Sequence, residues 1–334
     1  MSVVSATRAD AAIDGMIDVV VSSKTVVADG VVLLELARPG WGDLPAWQAG
    51  AHIDVLLGAD GLERQYSLCG ERGSRGSWQI GVLREPTGRG GSVRVHDDIE
   101  VGQLLRARGP RNHFGFDSAA ATRALFIAGG IGITPIRAMI AEAEAAGIAW
   151  ELVYAGRSRS TMAFVEELSA LYGDRVRVFA SDEGNRVDVA AILAVPRLDT
   201  AVYCCGPVRL MDAVEIAIDG QGSIWPRGAL HLERFEPKHV YTPDHDSEFE
   251  VELELSGVTL TVHADRTILD VVEEAGVLVL SSCREGTCGT CETPVISGEV
   301  DHRDSVLTAD EQAENTAMMI CVSRASCARL VLEL

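Results

Sequence analysis

The chain has 334 residues, 47% of them hydrophobic, and its 49 acidic residues outnumber 29 Lys and Arg for a net charge of −20. This length accommodates two or three domains with real cores. The acidic balance disfavours nucleic acid as a partner, because binding it depends on neutralising phosphates with Lys and Arg. The charge is uneven: residues 248–334 hold 17 acidic and 5 basic residues. That face either keeps the protein soluble or steers it toward a basic partner surface. The longest apolar run, Ala124–Ile136, has 13 residues and includes Gly and Pro. A membrane helix needs about 20, so no membrane association is expected. Asp10 and Asp14 break any secretion signal, and the expected location is the cytoplasm.

Residues 1–15 read as a loose leader. From residue 16 to 117, short β-rich runs alternate with turns: Ile17–Val21, Val31–Leu36, His52–Leu57, Arg64–Leu68, Trp78–Arg84 and Gln103–Arg108. This pattern predicts an antiparallel barrel. Within it, Arg64-Gln65-Tyr66-Ser67 places Arg64 and Tyr66 on one strand face and Gln65 and Ser67 on the other. An arginine offers a planar fork to a phosphate. A tyrosine can stack on a flat ring, and a serine can hydrogen-bond a ring nitrogen. About 20 residues later comes Gly88-Arg89-Gly90-Gly91-Ser92, a glycine-rich run able to cradle a phosphate through backbone N–H groups. Each half alone is weak, and the pair in one barrel is a fair flavin-site signal.

Residues 118–235 change texture. Ala124–Ala128 is a continuous apolar strand leading into Gly129-Gly130-Ile131-Gly132-Ile133-Thr134-Pro135. Thr134 reads as an N-cap and Pro135 as the first residue of a helix to about Ala146. This turn would hold a pyrophosphate, or it is an ordinary βα turn. Further strands follow at Trp150–Tyr154, Arg175–Phe179 and Ala201–Cys205, with helices near Met162–Leu171 and Val208–Asp219. The alternation predicts an α/β domain with its ligand at the strand carboxyl ends. Gly129–Pro135, Gly156–Arg159 and Cys205-Gly206-Pro207 all lie there. Arg157 and Arg159 could contact nucleotide or could be solvated. Cys204 reads as core.

A linker is expected over 236–247, then a small α+β domain over 248–334. Its strand Phe249–Leu255 alternates, Val258–His263 pairs with it, and Thr267–Ala275 is a helix. Next comes Cys283-x4-Cys288-x2-Cys291, with Cys321 after 29 further residues. Four thiolates so spaced match the plant-type ligation of a [2Fe–2S] cluster. Gly286, Thr287, Gly289 and Thr290 let a tight loop aim backbone N–H groups at sulfur. Structural zinc would call for two short Cys/His pairs, and only one is present. Cys327 reads as core.

Taken in order, Arg64-x-Tyr66-Ser67, Gly88–Ser92, Gly129–Pro135, Cys205–Pro207 and the cysteine set resemble the phthalate dioxygenase reductase family, which includes vanillate demethylase reductases. The resemblance implies a flavin barrel, a nicotinamide domain and a C-terminal plant-type ferredoxin (β-grasp) domain. It implies that Arg64 and Gly90–Ser92 hold the phosphate of FMN rather than FAD, that Tyr66 packs on the isoalloxazine and that Ser67 lies near N5. The Gly129–Pro135 turn would take the dinucleotide pyrophosphate, and Cys205 would lie near the nicotinamide C4. The segment Glu233–Phe235 would approach the flavin from the second domain. The implied activity is transfer of electrons from NADH, through FMN and the cluster, to a separate terminal Rieske oxygenase. The alternatives are an FAD- or NADPH-using reductase serving a haem or di-iron oxygenase, and a zinc-binding protein without enzymatic activity.

Overall fold

The computed structural model describes residues 15–40, 42–71, 73, 75–119, 122–220, 222–238 and 246–334. Residues 1–14 of the expected leader and 239–245 of the expected linker lie outside the described residues.

Six antiparallel strands come first: β1 (Ile17–Ala28), β2 (Val31–Ala37), β3 (His52–Leu56), β4 (Glu63–Ser67), β5 (Ser77–Leu83) and, after helix α1 (Gly91–Asp97), β6 (Leu104–Arg111). They lie in the order β4-β3-β6-β1-β2-β5, and Leu68 bridges to Ile80, joining the end of β4 to β5. The sheet thus closes into a barrel, which removes its open edges. Alternate residues face inward. Val19, Val21, Leu34, Leu36, Ile53, Val55, Trp78 and Ile80 fill the interior and are fully buried.

A five-stranded parallel sheet follows. Its members are β7 (Arg123–Gly129), helix α2 (Ile133–Ala145), β8 (Ala149–Gly156), α3 (Val165–Tyr172), β9 (Val176–Ala180), the short α4 (Val189–Leu193), β10 (Thr200–Cys205), α5 (Val208–Asp219) and β11 (Leu230–Glu233). The strand order is β11-β10-β7-β8-β9. The chain winds one way from β7 through β9 and the other way through β10 and β11. The reversal lies between β7 and β10, so their carboxyl ends open a crevice between Gly129 and Cys205.

The start of α2 differs from the expectation. A single 3-10 turn, Gly130–Gly132, precedes it, and Gly132 is the residue before its first turn. Thr134 is therefore inside the helix and does not cap it. Its hydroxyl instead donates to the Ile131 carbonyl at 2.9 Å. Three glycines allow the backbone itself to tighten here, leaving a side-chain cap without a function.

The last unit contains β12 (Phe249–Leu253), β13 (Val258–Val262), α6 (Ile268–Glu274), β14 (Glu292–Ser297), β15 (Val300–Asp301), α7 (Ala309–Glu314), β16 (Ala317–Met319), β17 (Arg324–Ala325) and β18 (Arg329–Leu332). Its main sheet runs β13-β12-β18-β14-β16, with β12 and β18 parallel. Thr267 and Asp270 cap α6 reciprocally, at 3.1 and 3.3 Å. Ile268, Leu269 and Val272 then pack the helix into the core of this unit.

The cores are unequally shared. Barrel residues Val31, Ala49, Cys69 and Phe114 join Phe126, Ile133, Ile136, Tyr154 and Tyr203 of the parallel-sheet unit in one hydrophobic cluster. The core of the last unit, from Phe249 to Leu332, is separate.

Candidate functional site

Three groups of residues meet along strand β4 of the barrel. The first is built on β4. Arg64 reaches sideways to the glycine-rich loop, donating to the Arg89 carbonyl at 2.5 Å. Its side chain lies over Gly91, where a Cβ would come within 2.9 Å of Nε. Gly90 has a left-handed φ of 80°, and α1 begins at Gly91 with no side-chain cap. The first-turn N–H groups thus stay open beside a guanidinium. Gly88 closes the loop by donating to the Glu85 carbonyl at 3.1 Å, and Ser92 Oγ accepts from the Glu85 N–H at 3.0 Å. Tyr66 packs against the barrel core, and its hydroxyl is buried with no partner among the described residues. Burial raises that phenol above its ordinary range. Ser67 faces the other way and donates to Glu233 Oε2 at 3.2 Å.

The second group lies at the crevice of the parallel sheet. A Cβ on Gly129 would sit 2.6 Å from Pro207 Cδ, and one on Gly206 would sit 2.8 Å from Gly129 Cα. A Cβ on Gly132 would overlap the Cys205 carbonyl and lie 2.7 Å from the Gly206 nitrogen. The turns after β7 and β10 therefore interlock backbone to backbone, which only glycine permits. Cys205 pairs in register with Ala128 on one side and Glu233 on the other. It is fully buried, and burial, with Glu233 and Cys204 adding to it, pushes the thiol well up. The thiol is neutral, a small soft wall and not a nucleophile. Burial lifts the Glu233 carboxyl to about 8, while the Ser67 hydrogen bond pulls the other way.

Other expected residues stand apart from these. Arg157 is exposed, and its side chain has no partner among the described residues. Arg159 pairs with Glu183 at 3.2 Å and Glu166 at 3.5 Å, a surface role. Phe235 is 42% exposed, and the intervening Arg234 is buried and held by Asp212 and Glu215 at 3.1 and 2.8 Å. Thr134 and Pro135 are buried in α2, and Thr134 lies against Gly81 of the barrel, where a Cβ would meet its methyl at 2.8 Å.

The third group is the cysteine loop. Cys283, Cys288, Cys291 and Cys321 are all buried, with 3–6% exposure. Cys283 lies beside Cys288 and Cys321, and Cys291 lies beside Cys321. The backbone N–H groups of Glu285 and Thr287 donate to Cys283 Sγ at 3.3 and 3.4 Å. Gly286 and Gly289 take φ of 69° and 71° to make this possible. Cys204 is core, whereas Cys327 is only partly buried, its sulfur accepting from the Glu299 N–H at 3.2 Å.

Sequence reasoning missed what joins the first and third groups. Ser282, just before the first thiol, hydrogen-bonds both Gln65 and Glu63. Arg108 holds Glu63 bidentately at 2.8 and 2.9 Å and reaches the fully buried Asp54 at 3.3 Å. Arg111 pairs with Asp54 as well. The His113 ring lies where a Cβ on Gly289 would be. Arg89 reaches Glu285 at 3.0 Å. A signal was present: Asp54 and His52 are polar residues inside an apolar barrel strand, and such residues demand buried partners.

These residues fit three bound groups. The uncapped helix start beside Arg64 suits a phosphate, and the partnerless Tyr66 hydroxyl suits a further polar contact. The interlocked glycines suit a close-lying pyrophosphate. Four buried thiols with N–H donors suit an iron–sulfur cluster.

The comparisons bear on two of these groups. Residues 126–215 match the oxidoreductase NAD-binding domain, and residues 251–326 match the 2Fe-2S iron-sulfur cluster binding domain. The chain is 44% identical to the phenoxybenzoate dioxygenase subunit beta of Ectopseudomonas oleovorans, over 92% of this chain and 94% of that one. The crystal structure of an intact type IV self-sufficient cytochrome P450 monooxygenase is similar at 43% identity and a TM-score of 0.89, over 98% of this chain. The chain spans 43% of that protein's length. The structure of phthalate dioxygenase reductase matches at 38% identity and a TM-score of 0.68, over 96% of this chain and 98% of that one. The chain belongs to the phthalate dioxygenase reductase family, whose members are oxidoreductases that pair an NAD-binding domain with a [2Fe–2S] domain.

Proposed function

We propose that the chain is the reductase component of a Rieske-type oxygenase system, taking electrons from NADH and delivering them through FMN and a [2Fe–2S] cluster to a separate oxygenase. The observation that carries this is the convergence on strand β4 of Ser67–Glu233 from the nicotinamide side and Glu63/Gln65–Ser282 from the cysteine side. The proposed domains are 16–117 for the flavin, 118–235 for the dinucleotide and 248–334 for the cluster.

Bound FMN supplies a centre that accepts two electrons together and releases them singly, and the cluster carries one at a time. The chain supplies position. Arg64 and the Gly88, Gly90, Gly91 and Ser92 loop hold the terminal phosphate, and Tyr66 walls one ring face. Ser67 and Glu233 place a hydroxyl and a carboxyl where a proton must be held during hydride transfer. Gly129, Gly130, Gly132 and Gly206, with Pro207, bring backbone against the dinucleotide, and Thr134 and Pro135 fix the helix behind it. Cys205 closes the nicotinamide pocket to water with a small uncharged thiol. Arg157 stands at the rim as a free cation for nucleotide phosphate or ribose, and Phe235 ends the segment that carries Glu233. Ser282 registers the thiols of Cys283, Cys288, Cys291 and Cys321 on the barrel face that carries Gln65.

A haem acceptor is the second reading, favoured by the likeness to the self-sufficient cytochrome P450. The test has two parts. Flavin released by denaturation should be FMN, and finding FAD would remove the FMN assignment. The as-purified protein should then reduce a Rieske oxygenase with NADH. Reduction of a haem oxygenase alone would select the second reading, and a colourless, zinc-containing protein would defeat both.

A further inference from the structure

The barrel face that receives the cysteine loop carries an ordered set of opposite charges. Arg111 stands directly across from His52 in the β6–β3 pairing, and Arg108 stands across from Asp54. The His52 and His113 rings stack with centroids 6.2 Å apart. His52 lies beside the Cys288 backbone, and His113 covers Gly289, the residue after Cys288. Arg111 is held on the same face by its ion pair with Asp54, and both Cys283 and Cys288 lie within range of its charge. Its Nε is buried with no partner among the described residues. Burial and the neighbouring Arg111 and His113 depress His52 to about 3, so it adds no charge of its own. Glu63 approaches the same loop from the other side, through Ser282. The setting is poorly solvated: Arg111, Arg108, Glu63 and Asp54 side chains are 22, 10, 14 and 0% exposed. Charges there act with much less screening than on an open surface.

We infer that the flavin barrel sets the reduction potential of the cluster across the domain interface, with Arg111 raising it and Glu63 lowering it. This rests on the proposed cluster site. One electron adds one negative charge among the four thiolates. A guanidinium facing Cys283 and Cys288 stabilises that added charge, and a carboxylate behind Ser282 opposes it. Neither residue ligates metal, so both act as positioning charges. The cluster-binding unit has 17 acidic residues, and its own loop cation, Arg284, is occupied by Asp270 and Glu273. Arg111 of the barrel adds a second positive charge on the side of Cys283 and Cys288.

The test is a spectroelectrochemical titration of the cluster absorption in the full-length holoprotein. Arg111→Gln should lower the reduced-to-oxidised ratio at a fixed potential about tenfold, which is about 59 mV for a one-electron couple. Arg111→Lys, which keeps the charge, should stay close to the parent. Glu63→Gln keeps an acceptor oxygen for Ser282 and should raise the ratio about threefold, given the weaker coupling through a hydroxyl. General loosening of the interface would move both glutamine variants the same way; opposite signs require the charges themselves. Shifts of one sign, or an unchanged potential in Arg111→Gln, would overturn the inference. If Arg111→Gln does not load its cluster, Glu63→Gln decides alone, and the absence of an upward shift refutes the idea. A parent protein without cluster absorption would instead defeat the proposed function.

Discussion

Gly132→Ala isolates the nicotinamide turn from the other two centres. The new Cβ would overlap the Cys205 carbonyl and stand 2.7 Å from the Gly206 nitrogen. Both neighbours are backbone. Cys205 is anchored by parallel pairing to Ala128 and Glu233, so no side chain can rotate out of the way. The turn after β7 must then retreat by roughly 1 Å. Overpacking of this kind costs about 1–3 kcal/mol. At about 2 kcal/mol, charged to the conformation that binds the dinucleotide, the NADH dissociation constant rises about 30-fold. Gly130→Ala is the control. Its φ of 53° strains an alanine, but nothing lies within 4 Å of the added carbon. The strain is about 1 kcal/mol, or fivefold. Calorimetric titration with NAD⁺ and the NADH KM with a two-electron dye should rank the variants in that order, with flavin and cluster spectra unchanged. Normal affinity in a folded Gly132→Ala protein, or greater damage from Gly130→Ala, would refute the reasoning.

Two other predictions use the same dissection. Cys288→Ser should lower NADH-dependent cytochrome c reduction at least about a hundredfold while sparing hydride transfer to the dye, because no thiol of the loop touches the crevice; loss of both in a folded variant contradicts the modular path. Glu233 is predicted to make stability fall as pH rises from about 4.5 to about 8, since burial raises its folded pKa and the native state holds the proton longer than the unfolded chain. Glu233→Gln should flatten that slope in melting curves between about pH 5 and 8, and an unchanged slope would show that the carboxyl is not the titrating group.

Much of the site was legible because its chemistry is local. The spacing of Cys283, Cys288 and Cys291 is a loop property, and φ near 70° at Gly286 and Gly289 follows from the residue type. Helix α5 begins and ends where its periodicity does, Val208 and Asp219, since Pro207 and Gly220 bracket it. Thr134 misled because a hydroxyl before a proline is a good cap in isolation, and only the Gly130–Gly132 turn shows the backbone tightening ahead of it. Arg157 and Arg159 look alike in sequence, yet only Arg159 finds carboxylates, and those come from residues 166 and 183. The polar Asp54 in an apolar strand signalled that buried partners exist, but which ones was out of reach, because Glu63, Arg108 and Arg111, and Ser282 come from β4, β6 and the cysteine loop. Strand alternation predicts which face a residue takes, but not what docks on that face.

The two interfaces of the barrel differ in kind, and the difference matches what each must do. Against the parallel sheet, the barrel shares a continuous apolar core, with Val31, Cys69 and Phe114 packed among Phe126, Ile133 and Tyr203. Apolar burial of that extent holds the two units as one body, which suits a hydride transfer that depends on fixed geometry. Against the cysteine loop, the contact is a set of hydrogen bonds and ion pairs, and the core behind the loop is wholly its own. A buried polar contact of this type specifies one orientation sharply because every partner must be met at once. Yet its net stabilisation is small, since water replaces each bond when the surfaces part. The third unit is thus registered accurately on the barrel without being fused to it. That combination is the one required of a module that must first face the flavin and then present its cluster to another protein.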